Sequence, residues 1–290
     1  MPRMLSNPPS APPPTPQRVP LRAPLRARGG GFGDALGAGR TLRTVVALML
    51  REMAATYGRT PGGYLWAVVE PVGTIAILSF VFSMFLHRPA LGSNFPLFYA
   101  TAYLPFALYA QLSQKTAQAL VYSKPLLAYP AVTFVDALLA RFLLNALTLI
   151  GVGIVVIVGI HALYGLRAAL DWPAILLATL MAAALGLGIG TLTCYLRAVL
   201  PFWDTVWAVA NRPLFLMSGV FFLLDSLPLP ARGLLWWNPL IHITGEMRRG
   251  FYPSYSAAYV SPAYVFAVAL IPLAFGLLLL KRAHRDILND

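Results

Sequence analysis

VTFVDALLARFLLNALTLIGVGIVVIVGIHAL, Val132–Leu163, decides the fold class. Asp136 and Arg141 are its only formally charged residues, and both lie near its start. Hydrocarbon roughly 30 Å thick, crossed at roughly 1.5 Å per residue, takes about 20 mostly apolar residues, so this stretch spans a bilayer with length left for tilt or projection. Working outward, Tyr64–Leu86 and Phe95–Leu112 precede it, and Pro173–Leu196, Asp204–Leu224 and Pro262–Leu280 follow it, each of comparable character. The sequence therefore predicts an all-α integral membrane protein with six transmembrane helices. Composition agrees, since 58% of the chain is hydrophobic and 11% charged, whereas soluble domains carry about 25% charged residues. So little charge does not cover a water-facing surface.

The net charge of +12 has three ordinary readings: nucleic acid, anionic lipid headgroups, or positive-inside topology. Position decides among them. With the N-terminus inside, fifteen of the 22 basic residues lie on the inner side: Arg3, Arg18, Arg22, Arg26, Arg28, Arg40, Arg43, Arg51, Arg59, Lys115, Lys124, Arg197, Lys281, Arg282 and Arg285. Five lie outside (Arg88, Arg167, Arg232, Arg248, Arg249), and Arg141 and Arg212 fall within spans. Both termini are expected in the cytoplasm, and no nucleic-acid partner is expected.

Three other segments have their own character. Residues 1–40, rich in Pro, Gly and Arg without an apolar run of signal-peptide length, read as a disordered cytoplasmic tail. Over 41–60 the pattern predicts an amphipathic interface helix, Thr41–Tyr57. Leu42, Val45, Val46, Met49 and Met53 share one face, with Arg40, Arg43 and Arg51 opposite; Pro61-Gly62-Gly63 then breaks the chain before the six-helix transmembrane domain, 61–290. Asp225–Ser261 is apolar enough to re-enter the membrane but too interrupted by Pro and Gly to cross it, which predicts a re-entrant helical pair before the last span.

Catalytic patterns are missing. The three lysines follow Gln114, Ser123 and Leu280, so no G-x-x-x-x-G-K-[ST] phosphate loop exists. Gly186, Gly188 and Gly190 mimic a dinucleotide loop but sit inside the fourth span, where small residues four apart admit a neighbouring helix. His242 and Glu246 lack a third metal ligand and read as a hydrogen-bonded structural pair. Cys194, the one cysteine, reads as a buried hydrophobe. Charges within spans cost about 2.5–3.5 kcal/mol on insertion scales and mark candidate functional positions: Glu70, Asp136, Arg141 and Arg212. Asp136 and Arg141 fall on different faces, so each is expected to find a partner on another helix or near an interface. Trp236, Trp237, Tyr252, Tyr255, Tyr259 and Tyr264 form an interfacial aromatic set able to stack on sugar rings. Trp236 and Trp237, with Asn238, His242, Glu246 and Arg249, are the channel or gating candidates of the re-entrant segment, beside Glu70, Arg141 and Arg212 in the spans. Glu246 and Arg249, three apart on a short helix, are spaced to pair.

Met49–Pro71, Ser123–Arg141, Arg212–Phe222 and Trp237–Pro253 resemble, in order, segments of the permease subunits of type-two ABC exporters for capsular polysaccharide, with O-antigen and teichoic-acid exporters as close cousins. The resemblance runs from about residue 40 to the C-terminus. It implies a homodimer in the bacterial inner membrane, docked on two copies of a separate ABC ATPase that binds the ATP, so that this chain needs no cofactor. It further implies outward movement of a lipid-linked polysaccharide to periplasmic and outer-membrane export proteins. Ser123, Lys124, Leu126, Leu127 and Tyr129, bounded by Pro125 and Pro130, then read as the knob received by the ATPase. Arg43 and Arg51 read as the polar face of an interface helix on membrane lipid. Another transported lipid or drug, and a membrane-embedded glycosyl- or acyltransferase, are the alternatives; the sequence shows no acid pair or His-Asp box for the latter.

Overall fold

The computed structural model describes residues 38–57, 63–127, 132–166 and 169–289, and among them every regular element is helical. The expected tail up to residue 37, Arg59, Pro61, Gly62, Tyr129 and Pro130 lie outside the described residues. Ten helices follow in order: α1 (Ala38–Tyr57), α2 (Gly63–Phe85), α3 (Phe95–Ala117), α4 (Ala119–Leu127), α5 (Phe134–Tyr164), α6 (Trp172–Val199), α7 (Trp203–Met217), α8 (Leu229–Leu235), α9 (Pro239–Phe251) and α10 (Pro262–Asn289). A 3₁₀ turn, Leu224–Ser226, precedes α8.

Local chemistry sets the boundaries. Asn94 caps α3 by accepting from Leu97 N–H at 2.9 Å, and Asp171 caps α6 by accepting from Ala174 N–H at 3.3 Å. At the start of α5, Thr133 and Asp136 form a reciprocal capping box, so Asp136 serves the helix end instead of standing as a charge within a span. Gly165 closes α5 in the left-handed conformation, φ 60°, which favours glycine.

The centre of the fold is α6, gripped between α3 and α10. Gly186 and Gly190 face α3: a Cβ at Gly190 would lie 2.8 Å from the Ser113 carbonyl, and one at Gly186 would lie 2.9 Å from Leu112 Cβ. Gly188 points to the other side, where a Cβ would overlap the Ala269 carbonyl of α10, and Gly276 of α10 approaches the α6 backbone at Leu192. Close backbone approach therefore runs along both sides of α6, as the glycine spacing predicted for one of them. A second, smaller core lies at the end of the bundle carrying α4, where Leu120, Leu138, Cys194 and Leu280 are buried together.

Among the described residues, four helices are long and apolar enough to cross a membrane: Leu65–Phe85, Phe134–Tyr164, Trp172–Val199 and Pro262–Ala283. The other two expected spans differ in kind. The second is a longer helix than expected, since α3 runs on from Leu112 to Ala117 through the polar Ser113, Gln114, Lys115 and Thr116. The fifth, expected over Asp204–Leu224, is a helix of only 15 residues that stops at Met217. Its stop has a local cause: Gly219 takes φ +79°, and the chain turns there under α9.

Candidate functional site

The chain between α7 and α10 folds into one unit organised by α9. Asn238 starts α9 by accepting from Leu240 N–H at 3.0 Å, while its amide donates to the Met217 carbonyl at 2.9 Å. Further along, the Thr244 hydroxyl donates to Ser218 O at 2.9 Å. Arg248 donates to Phe222 O at 2.9 Å and Val220 O at 3.2 Å. The last carbonyls of a helix and those of the turn after it lack intrahelical donors, and α9 supplies them from a row of side chains. Arg248 is 2% exposed and its guanidinium lies 4.2 Å from the centroid of the Phe98 ring of α3. Gly219 is required at this seam, because a Cβ there would sit 3.1 Å from Thr244 Oγ1 on a backbone that disfavours any side chain.

The end of α9 is tied to the start of α6. Arg249 binds Glu246 through two nitrogens, at 2.5 and 3.1 Å, and reaches Asp171 at 3.3 Å. Asp171 N–H donates to Gly250 O at 2.9 Å, and Gly250 leaves room for Ile175. Asp171 and Arg249 open onto a cleft of about 500 Å³ that Pro253, Tyr255 and Ser256 also line. Behind it the Tyr255 hydroxyl donates to Asp225 at 3.1 Å and meets the Tyr259 hydroxyl at 3.3 Å. Burial, then these two neighbours, pushes the Tyr255 phenol well above its ordinary value.

The aromatic set divides by exposure. Trp236 is held by its indole N–H on Tyr259 O at 3.2 Å and by rings of His242 and Tyr264, each with its centroid 5.1 Å away. Trp237 is 67% exposed, with the rings of Trp236 and Tyr264 steeply inclined to it at 5.5 and 6.2 Å. His242 Nδ1 accepts from Ser261 N–H at 3.1 Å, which leaves Nε2–H to donate to Trp236 O at 2.8 Å. The imidazole is thus neutral and pins α9 to the start of α10; burial lowers its pKa. Both its nitrogens are used this way and Glu246 turns to Arg249, so the His242–Glu246 pair expected from spacing does not form.

The remaining candidates lie elsewhere. Glu70 on α2 and Arg212 on α7 are exposed, and α7 buries none of its residues within the chain. Arg43 and Arg51 are exposed on α1, whose expected apolar face is uneven: Val45 is 4% exposed, while Val46 and Met53 stay open. Ser123, Lys124, Leu126 and Leu127 belong to α4, with Lys124 exposed and Leu127 against the second core; the Leu126 side chain and Tyr129 lie outside the described residues. Arg141 is buried beside α1 and α4, far along the chain's packing from the α9 unit, and pairs with Glu52. Sequence reasoning missed Glu52, Tyr122, Asp171, Thr244 and Arg248. Spacing puts Thr244 and Arg248 on one helix face but gives no signal of their role, because their acceptors are main-chain atoms without residue identity.

A family model described as ABC-2 type transporter matches residues 43–252. Among curated proteins, the chain is 29% identical over 247 residues to the Escherichia coli polysialic acid transport protein KpsM, covering 85% of this chain and 96% of the relative. It is 26% identical to the Neisseria meningitidis capsule polysaccharide export inner-membrane protein CtrC, and 24% identical to the Haemophilus influenzae capsule polysaccharide export inner-membrane protein BexB. Each of those two alignments covers 84% of this chain and 92% of the relative.

Proposed function

The chain belongs to the ABC-2 type transporter family, and on that premise we propose that it is the permease subunit of an ATP-driven exporter moving a lipid-linked capsular polysaccharide outward across the bacterial inner membrane. The observation that carries the reading is the nearly end-to-end alignment with relatives named for polysialic acid transport and capsule export. The missing phosphate loop supports the rest: ATP is bound and hydrolysed by a separate subunit, two copies of which serve a homodimer of this chain.

In this reading α2, α3, α5, α6, α7 and α10 are the six spans, and the basic residues put both termini and the α4 end in the cytoplasm. The 15 residues of α7 reach about 22 Å, short of roughly 30 Å of hydrocarbon. The α8–α9 unit fills the missing depth as a re-entrant pair, whose backbone polar groups are satisfied by protein. Its side chains from Trp236 to Arg249 stand at the outer mouth, where Trp237 gives the polymer a stacking face and periplasmic and outer-membrane export proteins receive it. Glu70 and Arg212 line the path below. Helix α1 lies on the cytoplasmic leaflet with Arg43 and Arg51 toward headgroups, and α4 with the segment to Tyr129 is the knob held by the ATPase.

Deleting the gene tests this. Surface polysaccharide should vanish while lipid-linked polymer accumulates inside, and the cloned gene should restore export. Unchanged surface polysaccharide in the deletion strain would overturn the reading.

A further inference from the structure

We propose that Arg141 is a positioning residue that joins α4 to α1 through α5, so that displacement of α4 reaches the other two helices as one movement; this rests on the reading of α4 as the ATPase-receiving knob. Arg141 is rooted on α5 and 4% exposed. Its Nη1 lies 3.5 Å from the Glu52 carboxylate of α1, and its guanidinium carbon stands 4.0 Å from the centroid of the Tyr122 ring of α4. One guanidinium thus holds a carboxylate of one helix while it stands over the aromatic ring of another. A guanidinium supports both contacts at once, whereas an ammonium is a point charge without a face.

The surroundings show why this side chain does more than fill space. One turn earlier on α5, Leu138 packs with Leu120 of α4 in the second core, so α4 and α5 already share an apolar contact. The Glu52 pair lies outside that core, and with the Tyr122 contact it makes one side chain of α5 serve α1 and α4 together. Its partners sit at the surface, Tyr122 being 64% exposed and Glu52 partly so. Only Arg141 of the three is buried, and a buried charge that loses its counter-charge is costly, so a displacement that keeps the three helices in their mutual relation is favoured over one that separates them.

The test uses the full permease with its ATPase, carrying Arg141→Met, Arg141→Lys, Glu52→Gln, Tyr122→Leu or, as a marker for the knob itself, Leu127→Asp. Two quantities are measured: phosphate release by the purified complex in nanodiscs, and acid-released sugar from the surface of washed cells, normalised to permease in the membrane. Arg141→Met should hydrolyse ATP near the parental rate with export lowered about tenfold, within the range usual for coupling between sites. Arg141→Lys should fall between. Glu52→Gln and Tyr122→Leu should each give part of the loss, and adding either to Arg141→Met should lower export little further. If Arg141→Met does not assemble, Glu52→Gln and Tyr122→Leu decide in its place, since their surface positions let the chain fold. Parental export in Arg141→Met, or in both partner variants, with Leu127→Asp uncoupled, overturns the joint alone. Parallel loss of hydrolysis and export reduces Arg141 to a structural role and overturns it as well. Parental export in Leu127→Asp overturns the knob reading beneath it.

Discussion

Adjacent arginines at positions 248 and 249 show what a side chain's partners decide. Arg249 bridges two carboxylates of different setting: Asp171 is partly exposed, so water screens that arm and it contributes at most about 1 kcal/mol, whereas Glu246 is buried and depends on Arg249 for its counter-charge. Arg248 is buried, and among the described residues it binds carbonyl oxygens and the Phe98 ring instead of a carboxylate. Arg248→Met leaves two buried carbonyls without donors, a loss of about 3 kcal/mol at hydrogen-bond strengths typical of charged donors. Asp171→Asn, which keeps the cap of α6 and removes only the screened arm of the Arg249 bridge, should cost well under half of that. Thermal unfolding of the detergent-solubilised permease, read beside protease cleavage at the Ser218–Leu223 turn, checks the order. Equal melting of the two variants would refute it. Sequence spacing brought out the Glu246–Arg249 pair, since the partners are three apart on one helix. It was silent on Arg248 because donors to main-chain carbonyls leave no complementary residue to recognise.

Among the elements, those whose identity rests on apolar length were legible: α2, α5, α6 and α10 match their expected spans to within a few residues at their starts. What the sequence misjudged depends on local hydrogen bonding. Phe221 and Phe222 look like a continuation of α7, yet Gly219 and the donors of α9 turn them out of the helix. Asp136 looked like a charge in a membrane, but its carboxylate accepts from the Thr133 hydroxyl at 2.8 Å and from its N–H at 3.0 Å. The glycines of α6 were legible as a close-packing motif through Gly186 and Gly190; that Gly188 serves α10 required the third helix to be in place. Gly188→Val forces a branched side chain against the Ala269 carbonyl, and neither backbone can yield without moving a whole helix. The expected loss is no smaller than that of ordinary core overpacking, about 1–3 kcal/mol. Gly153→Val on α5, where a Cβ would meet nothing within 4 Å, is the control. Lower membrane yield and melting temperature for Gly188→Val alone would bear this out, and parental melting of Gly188→Val would contradict it.

For the whole molecule, the faces left uncovered differ in polarity, and in the proposed homodimer that difference assigns one face to lipid and another to the second copy. The exposed face of α10 is apolar throughout its middle, with Leu270, Ile271, Phe275 and Leu278 outward, and matches hydrocarbon. Helix α7 has no fully buried residue: Phe215 packs inward on Phe106 of α3, and around Val206, Val209 and Leu216 the helix exposes Arg212, and at its start Asp204. Asp204 is answered by Arg197 at 2.7 Å, but an arginine at mid-helix facing lipid costs about 2.5–3.5 kcal/mol. A helix of this kind is stable against protein or a polar path, and a symmetric pair of chains presents the same face to itself. With the buried Cys194 replaced by serine, a cysteine at Val209 or Leu216 should therefore link two copies when membranes are treated with a bifunctional thiol reagent. A cysteine at Phe275 or Leu278 should not. The linked species should run at twice the monomer mass and appear at permease levels too low for random collision. Equal linking from α7 and α10 would mean collision, and dimers formed only from α10 would place the contact between copies on the other side of the molecule.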